Sequence, residues 1–263
     1  IPGLSFFPGL VMHSKNYRRP EMFQDKNVVV LGGGLSGIEI SLNIIENANK
    51  IYYSHRNPMF RDMKLPAKIE QLPPVVRITE DGLVQFTDGR TRKADAILLC
   101  TGYQYSFPFL SPECHVIVDL EGKRVNPLYL GVFHLEYPTL AFVGIPKFCL
   151  PFPMFAVQAQ CVAAVLGGKA NLPSREQMEA DIVREREKLQ FLGQPAKDEH
   201  RLGSRRRSYA AALAKLAGCS SVDPVLDDLF DHVLVCICRD ATNFRNHEVV
   251  IKDSNTYFVK SNL

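Results

Sequence analysis

The chain has 263 residues, 46% of them apolar and 22% charged, with 31 Lys and Arg against 28 Asp and Glu for a net charge of +3. That length suits one large domain or two small ones, and the composition is globular rather than disordered. So small a charge gives no support to a nucleic-acid binder, and the basic run at residues 201–207 is expected to be a solvated helix start or loop.

The most apolar window, residues 148–164, is interrupted by Pro151, Pro153, Gln158 and Gln160, so no membrane span is expected. The seven cysteines are an odd number and contain no C-x-x-C pair. Zinc binding, dithiol redox chemistry and a disulfide scaffold are disfavoured on that count, and a reducing, cytoplasmic compartment is expected. The chain opens on Ile1-Pro2-Gly3 rather than Met, which points to a fragment or a processed chain.

In chain order, residues 27–31 form a β-branched run that ends in Gly32-Gly33-Gly34. An amphipathic helical pattern follows through Leu35, Ile38, Leu42 and Ile45, and Ile51-Tyr52-Tyr53-Ser54 reads as a second buried strand. Strand, glycine turn, helix and strand in that order predict a parallel βαβ unit. Residues 75–79, 83–86 and 96–100 are short strands separated by Asp81-Gly82 and Asp88-Gly89, dipeptides that favour tight hairpins, so a small antiparallel meander is expected.

Another apolar strand is expected at residues 140–145, then a helix over 154–166 and an amphipathic helix over 174–192 opened by a Ser174/Gln177 capping box. The tail mixes charged helices with one apolar strand at residues 233–238, on which Cys236 and Cys238 would share a face. Asp227, Asp228, Asp231 and His232 read as a solvated helix face rather than a metal site.

The glycine turn carries the chemistry. Gly32-x-Gly34-x-Ser36-Gly37 follows a strand and opens a helix, the context in which this pattern binds a dinucleotide. Gly32 permits the sharp turn, Gly34 lets a pyrophosphate approach the backbone, and Gly37 lets the helix lie close on the strand. The N–H groups of Leu35 and Ser36, with the helix dipole, supply the anion site. An NAD site would place a carboxylate at the end of the second strand, but Tyr53-Ser54-His55-Arg56 stands there. Arg56 and the Ser54 hydroxyl suit a 2′-phosphate instead, so NADP is favoured over NAD.

Just ahead of this unit stands Phe7-x-Gly9-x-x-x-His13-x-x-x-Tyr17. It resembles the fingerprint of flavin-containing monooxygenases, and so do Ser54-His55-Arg56, Leu99-Cys100-Thr101-Gly102-Tyr103 and Pro151-Phe152-Pro153-Met154-Phe155, all in the family's order. The likeness covers about residues 1–190. Baeyer–Villiger relatives usually carry Trp at the last fingerprint position, where this chain has Tyr17, and disulfide reductases need the C-x-x-C pair that is missing. Phe7 and Tyr17 are expected to pack the linker, with His13 orienting it through a hydrogen bond.

The resemblance implies an α/β fold in which a Rossmann-like NADP-binding domain is inserted in the second half of an FAD-binding α/β domain, with the small antiparallel meander. It implies a linker at residues 1–24, the NADP-binding domain at 25–95, the remaining half of the FAD-binding domain at 96–195 and a mixed extension at 196–263. Thr101, Gly102 and Gln158 join Gly32, Gly34, Leu35, Ser36, Gly37, Ser54 and Arg56 as the cofactor-binding set, and no residue is assigned to acid–base chemistry. The family's own FAD loop and an active-site Asn precede the fingerprint, so this chain is expected to lack both.

The implied activity uses NADPH, FAD and dioxygen to oxygenate a small-molecule amine or sulfide through a flavin hydroperoxide. The alternative is a truncated NADP-binding module without catalytic activity, whose exposed half-sheet would favour pairing into a homo-oligomer. The end of the chain, from Tyr257, is too short and polar for an anchor, and Ser261-Asn262-Leu263 is a distant echo of a peroxisomal tripeptide.

Overall fold

The computed structural model describes residues 1–260; the tripeptide Ser261-Asn262-Leu263 lies outside the described residues. The chain divides into two units, Ile1–Gly102 with Val233–Glu248, and Tyr103–His232 with Val249–Lys260.

In the first unit the elements run β1 (Leu10–His13), β2 (Asn27–Leu31), α1 (Leu35–Asn43), β3 (Lys50–Ser54), β4 (Ile69–Leu72), β5 (Val75–Ile78), β6 (Val84–Phe86), β7 (Thr91–Arg92) and β8 (Ala96–Leu99). Strands β1, β8, β2, β3 and β4 lie side by side in that order as a parallel five-stranded sheet. Strands β5, β6 and β7 form a separate antiparallel sheet, turned at Asp81-Gly82 and Asp88-Gly89 as the dipeptides predict.

Alternation along the strands explains why their sequence is apolar throughout. Val28, Val30, Ile51, Tyr53, Ala96 and Leu98 face one core with Ile38 and Ile44 around helix α1. Val29 and Ile97 face the other, where Phe7, Leu72, Ile78, Val84 and Phe86 cover the sheet. A parallel sheet covered on both faces needs apolar residues at odd and even positions alike. Among the described residues, the buried hydroxyls of Ser41 and Tyr53 in this unit have no hydrogen-bond partner.

Strand β8 differs from the expected division of the chain. The expected division places it with the FAD-binding half, yet it pairs with β1 on one side and β2 on the other, inside the sheet that carries the glycine turn. The first unit therefore runs through Gly102 rather than stopping at residue 95.

The second unit contains the short antiparallel pairs β9 (Ile117–Val118) with β10 (Val125–Asn126) and β11 (Leu128–Tyr129) with β12 (Phe133–His134), then helices α2 (Pro151–Leu166), α3 (Arg175–Phe191) and α4 (Arg206–Ala217). Its core joins Val132, Phe133, Val157, Cys161, Met178 and Leu213. The Ser174 side chain accepts from Gln177 N–H while the Gln177 side chain reaches back to Ser174, so the capping box forms as read. The strand expected at residues 140–145 is reduced to a single bridge between Ala141 and Phe133. That segment follows the Pro138 turn and precedes Pro146, which leaves little room for a ladder.

Helix α5 (Pro224–Arg239) replaces the strand expected at residues 233–238, and a hairpin of β13 (Glu248–Ile251) with β14 (Tyr257–Lys260) follows it. Within that window Val233 and Val235 are exposed while Leu234 and Cys236 are buried, a pattern that imitates strand alternation over four residues. Ile237 is buried next, which only a helical period accommodates. Cys236 and Cys238 consequently point to different sides of a helix. All seven cysteines are free thiols, and among the described residues no helix is long and apolar enough to cross a membrane.

The expectation of solvated charge fails at one place. Arg206 and Asp227 are both buried and paired at 3.2 Å, and Arg206 also holds both carboxylate oxygens of Asp231 at 2.8 Å. The Arg206 guanidinium lies 4.7 Å over the Phe230 ring. Leu229 and Phe230 stand between the aspartates of the acidic run, but neither run alone signals that the other lies against it.

Candidate functional site: a glycine turn at the carboxyl edge of the sheet

Leu31, Ser54 and Leu99 are register partners, so β2, β3 and β8 end at the same edge of the parallel sheet. From β2 the chain moves outward to β3 on one side, while β8 and β1 lie on the other. The crevice where direction reverses is the usual ligand site of such sheets, and the glycine turn sits there.

The glycines of the turn answer different demands. Gly32 adopts φ 136°, and a Cβ on it would lie 2.1 Å from the Cys100 carbonyl oxygen. A Cβ on Gly33 would lie 2.7 Å from the Asn57 Cβ, and one on Gly37 would meet the Gly32 carbonyl oxygen at 2.4 Å and the Tyr53 ring at 2.9 Å. The chain itself therefore forbids a side chain at these positions. Gly34 is the exception. It precedes α1 with ordinary extended angles, φ −102° and ψ 175°, and beyond its two chain neighbours nothing among the described residues lies within 4 Å of where its Cβ would be.

This open position faces the start of a nine-residue helix whose first-turn N–H groups, those of Leu35 and Ser36 included, have no carbonyl four residues back to accept them. Leu35 is exposed and Ser36 half-buried. A space the size of a side chain beside outward N–H groups and a positive dipole end is an anion cradle. It fits a dinucleotide pyrophosphate.

Of the residues read at the end of β3, the structure separates two. Arg56 is exposed and makes no hydrogen bond or ion pair among the described residues, so its guanidinium is available. Ser54 is buried, and its hydroxyl donates to the Pro73 carbonyl at 2.8 Å. Its proton is used inside the fold, so in this geometry Ser54 has no hydroxyl donor left over for the phosphate expected of it.

At the end of β8, Thr101 is exposed and Gly102 adopts φ 87°, with its carbonyl 3.1 Å from His13 Nε2. Cys100, directly before them, is buried, and burial pushes its thiol up to about 11 against a lesser opposing contact from Ser14, so it is inert at neutral pH.

Gln158 belongs to the second unit and is fully buried on α2. Its Oε1 accepts the Gly144 N–H at 2.9 Å and its Nε2 donates to the Tyr209 hydroxyl at 2.7 Å, which in turn donates to the Leu130 carbonyl at 2.8 Å. Both ends of the amide are occupied. Gln158, expected at the cofactor, ties a loop to two helices through these bonds.

The fingerprint residues hold β1 and its flanks in place. Phe7 is buried in the core under the sheet, and a Cβ on Gly9 would lie 2.3 Å from the Asp95 carbonyl oxygen, so the chain must pass there without a side chain. His13 reaches Gly102 through Nε2 and accepts the Lys15 N–H through Nδ1 at 3.1 Å, while the Tyr17 hydroxyl donates to Asn43 at the end of α1.

Reading the sequence missed a polar group beside the turn. Asn57 Nδ2 donates to the Gly33 carbonyl at 2.8 Å, its Oδ1 accepts the Met59 N–H at 3.1 Å, and its own N–H donates to His55 Nδ1 at 3.1 Å. The Gln71 amide nitrogen lies 2.6 Å from His55 Nε2 and donates to the Phe60 carbonyl at 2.6 Å. Burial lowers the His55 pKa, an effect only partly opposed by the Asn57 backbone hydrogen bond, so the ring is neutral at pH 7. The Asn57-Pro58 dipeptide signals a turn start in sequence, but nothing in it signals the contact with Gly33.

The chain matches the family "Flavin-binding monooxygenase-like" over residues 1–61 and 62–234. It is 40% identical over 227 residues to "Flavin-containing monooxygenase FMO GS-OX-like 3" of Arabidopsis thaliana, covering 85% of this chain and 50% of that protein. Among solved structures it resembles S-allyl-L-cysteine S-oxygenase from Allium sativum, with a TM-score of 0.79 and 33% identity, over 90% of this chain and 54% of that one. It also resembles Tmm from Pelagibacter sp. strain HTCC7211, with a TM-score of 0.78 and 26% identity, over 97% of this chain and 57% of that one. The chain thus spans about half the length of the curated relatives it matches. Proteins of this family are oxidoreductases, flavoproteins that depend on FAD and NADPH. A family match across most of the sequence, together with this α/β fold and its glycine turn, establishes that the chain belongs to the flavin-binding monooxygenase-like family.

Proposed function

We propose that this chain supplies the NADP-binding portion of a monooxygenase that oxygenates a soft nitrogen or sulfur nucleophile, with the dinucleotide lying across residues 32–37. The first unit then corresponds to a Rossmann-like domain inserted in the second half of an FAD-binding domain. Likeness to an S-oxygenase from Allium sativum, at 33% identity, favours sulfur of the two.

One observation carries the reading. At Gly34 the fold leaves a side chain's worth of space where its own packing asks for none, at the head of α1 and across the sheet edge from the unpaired Arg56. The Leu35 and Ser36 N–H groups would hold the pyrophosphate. Arg56 would hold the 2′-phosphate, since a guanidinium can pair two of its oxygens at once. Thr101 and Gly102 stay in the proposal at the adjoining end of β8, and Ser54 and Gln158 leave it because their polar atoms are occupied.

When bound, NADPH supplies a hydride and the flavin supplies the activation of dioxygen. The residues described here bind and orient; none is asked to move a proton. Calorimetric titration of the chain with NADP⁺ and NAD⁺ tests the assignment. Arg56→Ala should weaken NADP⁺ by about 1–3 kcal/mol, roughly 5- to 150-fold, and leave NAD⁺ nearly unchanged. Equal losses for both dinucleotides would remove Arg56 from the site.

A further inference from the structure

Two anion-binding features of the proposed site belong to different pieces of chain. The turn after β2 presents backbone N–H groups, and the loop after β3 presents Arg56. A dinucleotide phosphate ester has a set spacing between its pyrophosphate and its 2′-phosphate, so discrimination requires that these two pieces keep a set spacing as well. Arg56 cannot fix it alone, since its side chain is exposed and unpaired among the described residues.

Its two neighbours are both fastened. His55 packs against the Tyr53 ring at 4.7 Å between centroids and meets the Gln71 amide at 2.6 Å. Asn57 donates to the Gly33 carbonyl at 2.8 Å, in the middle of the turn, and its Cβ is what a side chain on Gly33 would strike at 2.7 Å. The Gly32 N–H donates to the Ser54 carbonyl at 2.9 Å and the His55 Cβ also lies close to Gly33, but among the described residues the side-chain hydrogen bond from the Arg56 loop to the glycine turn is that of Asn57.

We propose that Asn57 is a positioning residue for cofactor choice: by clasping Gly33 it sets the distance between the dinucleotide turn and Arg56, and so the preference for a 2′-phosphorylated dinucleotide. The proposal rests on the NADP reading above. Asn57 itself touches neither phosphate; it acts through Arg56 and Gly33.

The test measures dissociation constants of NADP⁺ and NAD⁺ by calorimetry on the chain and four variants, Arg56→Ala among them, with thermal melts alongside. Asn57→Ala should weaken NADP⁺ about tenfold and change NAD⁺ by less than about twofold. Asn57→Ser, whose hydroxyl can still accept the Met59 N–H but is too short to reach Gly33, should lose the same preference and keeps the test usable if the alanine variant folds poorly. In the double variant Arg56→Ala/Asn57→Ala the ratio of the two constants should equal that of Arg56→Ala alone, because the clasp acts through the arginine.

A parallel loss of both ligands would reduce Asn57 to a structural residue. So would an unmoved ratio in Asn57→Ala beside a normal Arg56→Ala effect, and either result overturns the clasp while sparing the NADP reading. An Arg56→Ala variant that keeps the wild-type ratio overturns both.

Discussion

Replacing Gly34 with alanine puts a methyl group where, its chain neighbours aside, no atom of the described residues lies within 4 Å, and replacing Gly37 puts one 2.4 Å from the Gly32 carbonyl oxygen. The two substitutions should therefore separate binding from folding. At residue 34 the backbone is extended, with φ −102°, so alanine fits without strain and restricts the unfolded chain, a gain of about 0.4–1 kcal/mol. Against this, residue 34 is the N-cap of α1, where alanine is worse than glycine by roughly 0.5–1 kcal/mol. The terms offset, and the stability of Gly34→Ala should stay within about 0.5 kcal/mol of the parent.

Its ligand affinity should not. A methyl in the cradle pushes a pyrophosphate oxygen off the first-turn N–H groups, and losing one hydrogen bond to a charged group costs about 1.5–3 kcal/mol, roughly 10- to 150-fold in Kd. Gly37→Ala gains about 1 kcal/mol of helix propensity but forces the helix off the strand, where overpacking costs about 1–3 kcal/mol or more against rigid backbone. Calorimetric titration with NADP⁺ and urea melts of both variants read the two quantities independently. Unchanged NADP⁺ affinity in Gly34→Ala would refute the cradle, and a Gly34→Ala variant as unstable as Gly37→Ala would refute the reasoning from open space.

Two further predictions concern stability in the second unit. Arg206→Met leaves Asp227 buried with only Arg207 beside it at 3.4 Å, and should cost about 3–5 kcal/mol in a urea melt; Arg206→Met/Asp227→Leu should recover most of that, and a double variant as weak as the single would contradict the buried-charge account. His200 is buried and its Nε2 accepts the Val125 N–H at 2.9 Å; burial lowers its pKa from 6.5, so the unfolded chain takes up a proton before the folded one and stability falls as the pH drops from about 6.5 through the lowered value. His200→Gln should flatten the fall in melting temperature between pH 7 and 5, though not abolish it, because the His55 pKa is lowered in the same direction; an unaltered slope would count against His200 as a source of the acid sensitivity.

Local features were the ones the sequence made legible. The βαβ unit is a contiguous pattern, so strand β2, the turn, α1 and β3 could be read in place. The capping box of α3 depends on residues three apart and was readable for the same reason. Helix α5 was not, because exposure at Val233 and Val235 with burial at Leu234 and Cys236 satisfies a two-residue period until Ile237 breaks it. The membership of β8 was hidden for a different cause. Its sequence states that it is buried on both faces, but not which strands flank it.

The candidate site exposes a sharper limit, because one residue type can be required by two different things. Gly32, Gly33 and Gly37 are glycines because the rest of the chain occupies the space a side chain would need, whereas Gly34 is not constrained by the chain at all. The same division runs through the polar residues. Ser54 and Gln158 are as polar in sequence as Arg56, yet their hydrogen-bonding atoms are used by Pro73, Gly144 and Tyr209, while the Arg56 guanidinium and the first-turn N–H groups of α1 keep theirs. A buried polar group already satisfied by the protein gains nothing by meeting a ligand and would lose a partner by turning toward one. The proposed site therefore lies where the fold leaves both space and hydrogen-bonding capacity unspent, and the head of α1 in the first unit offers both.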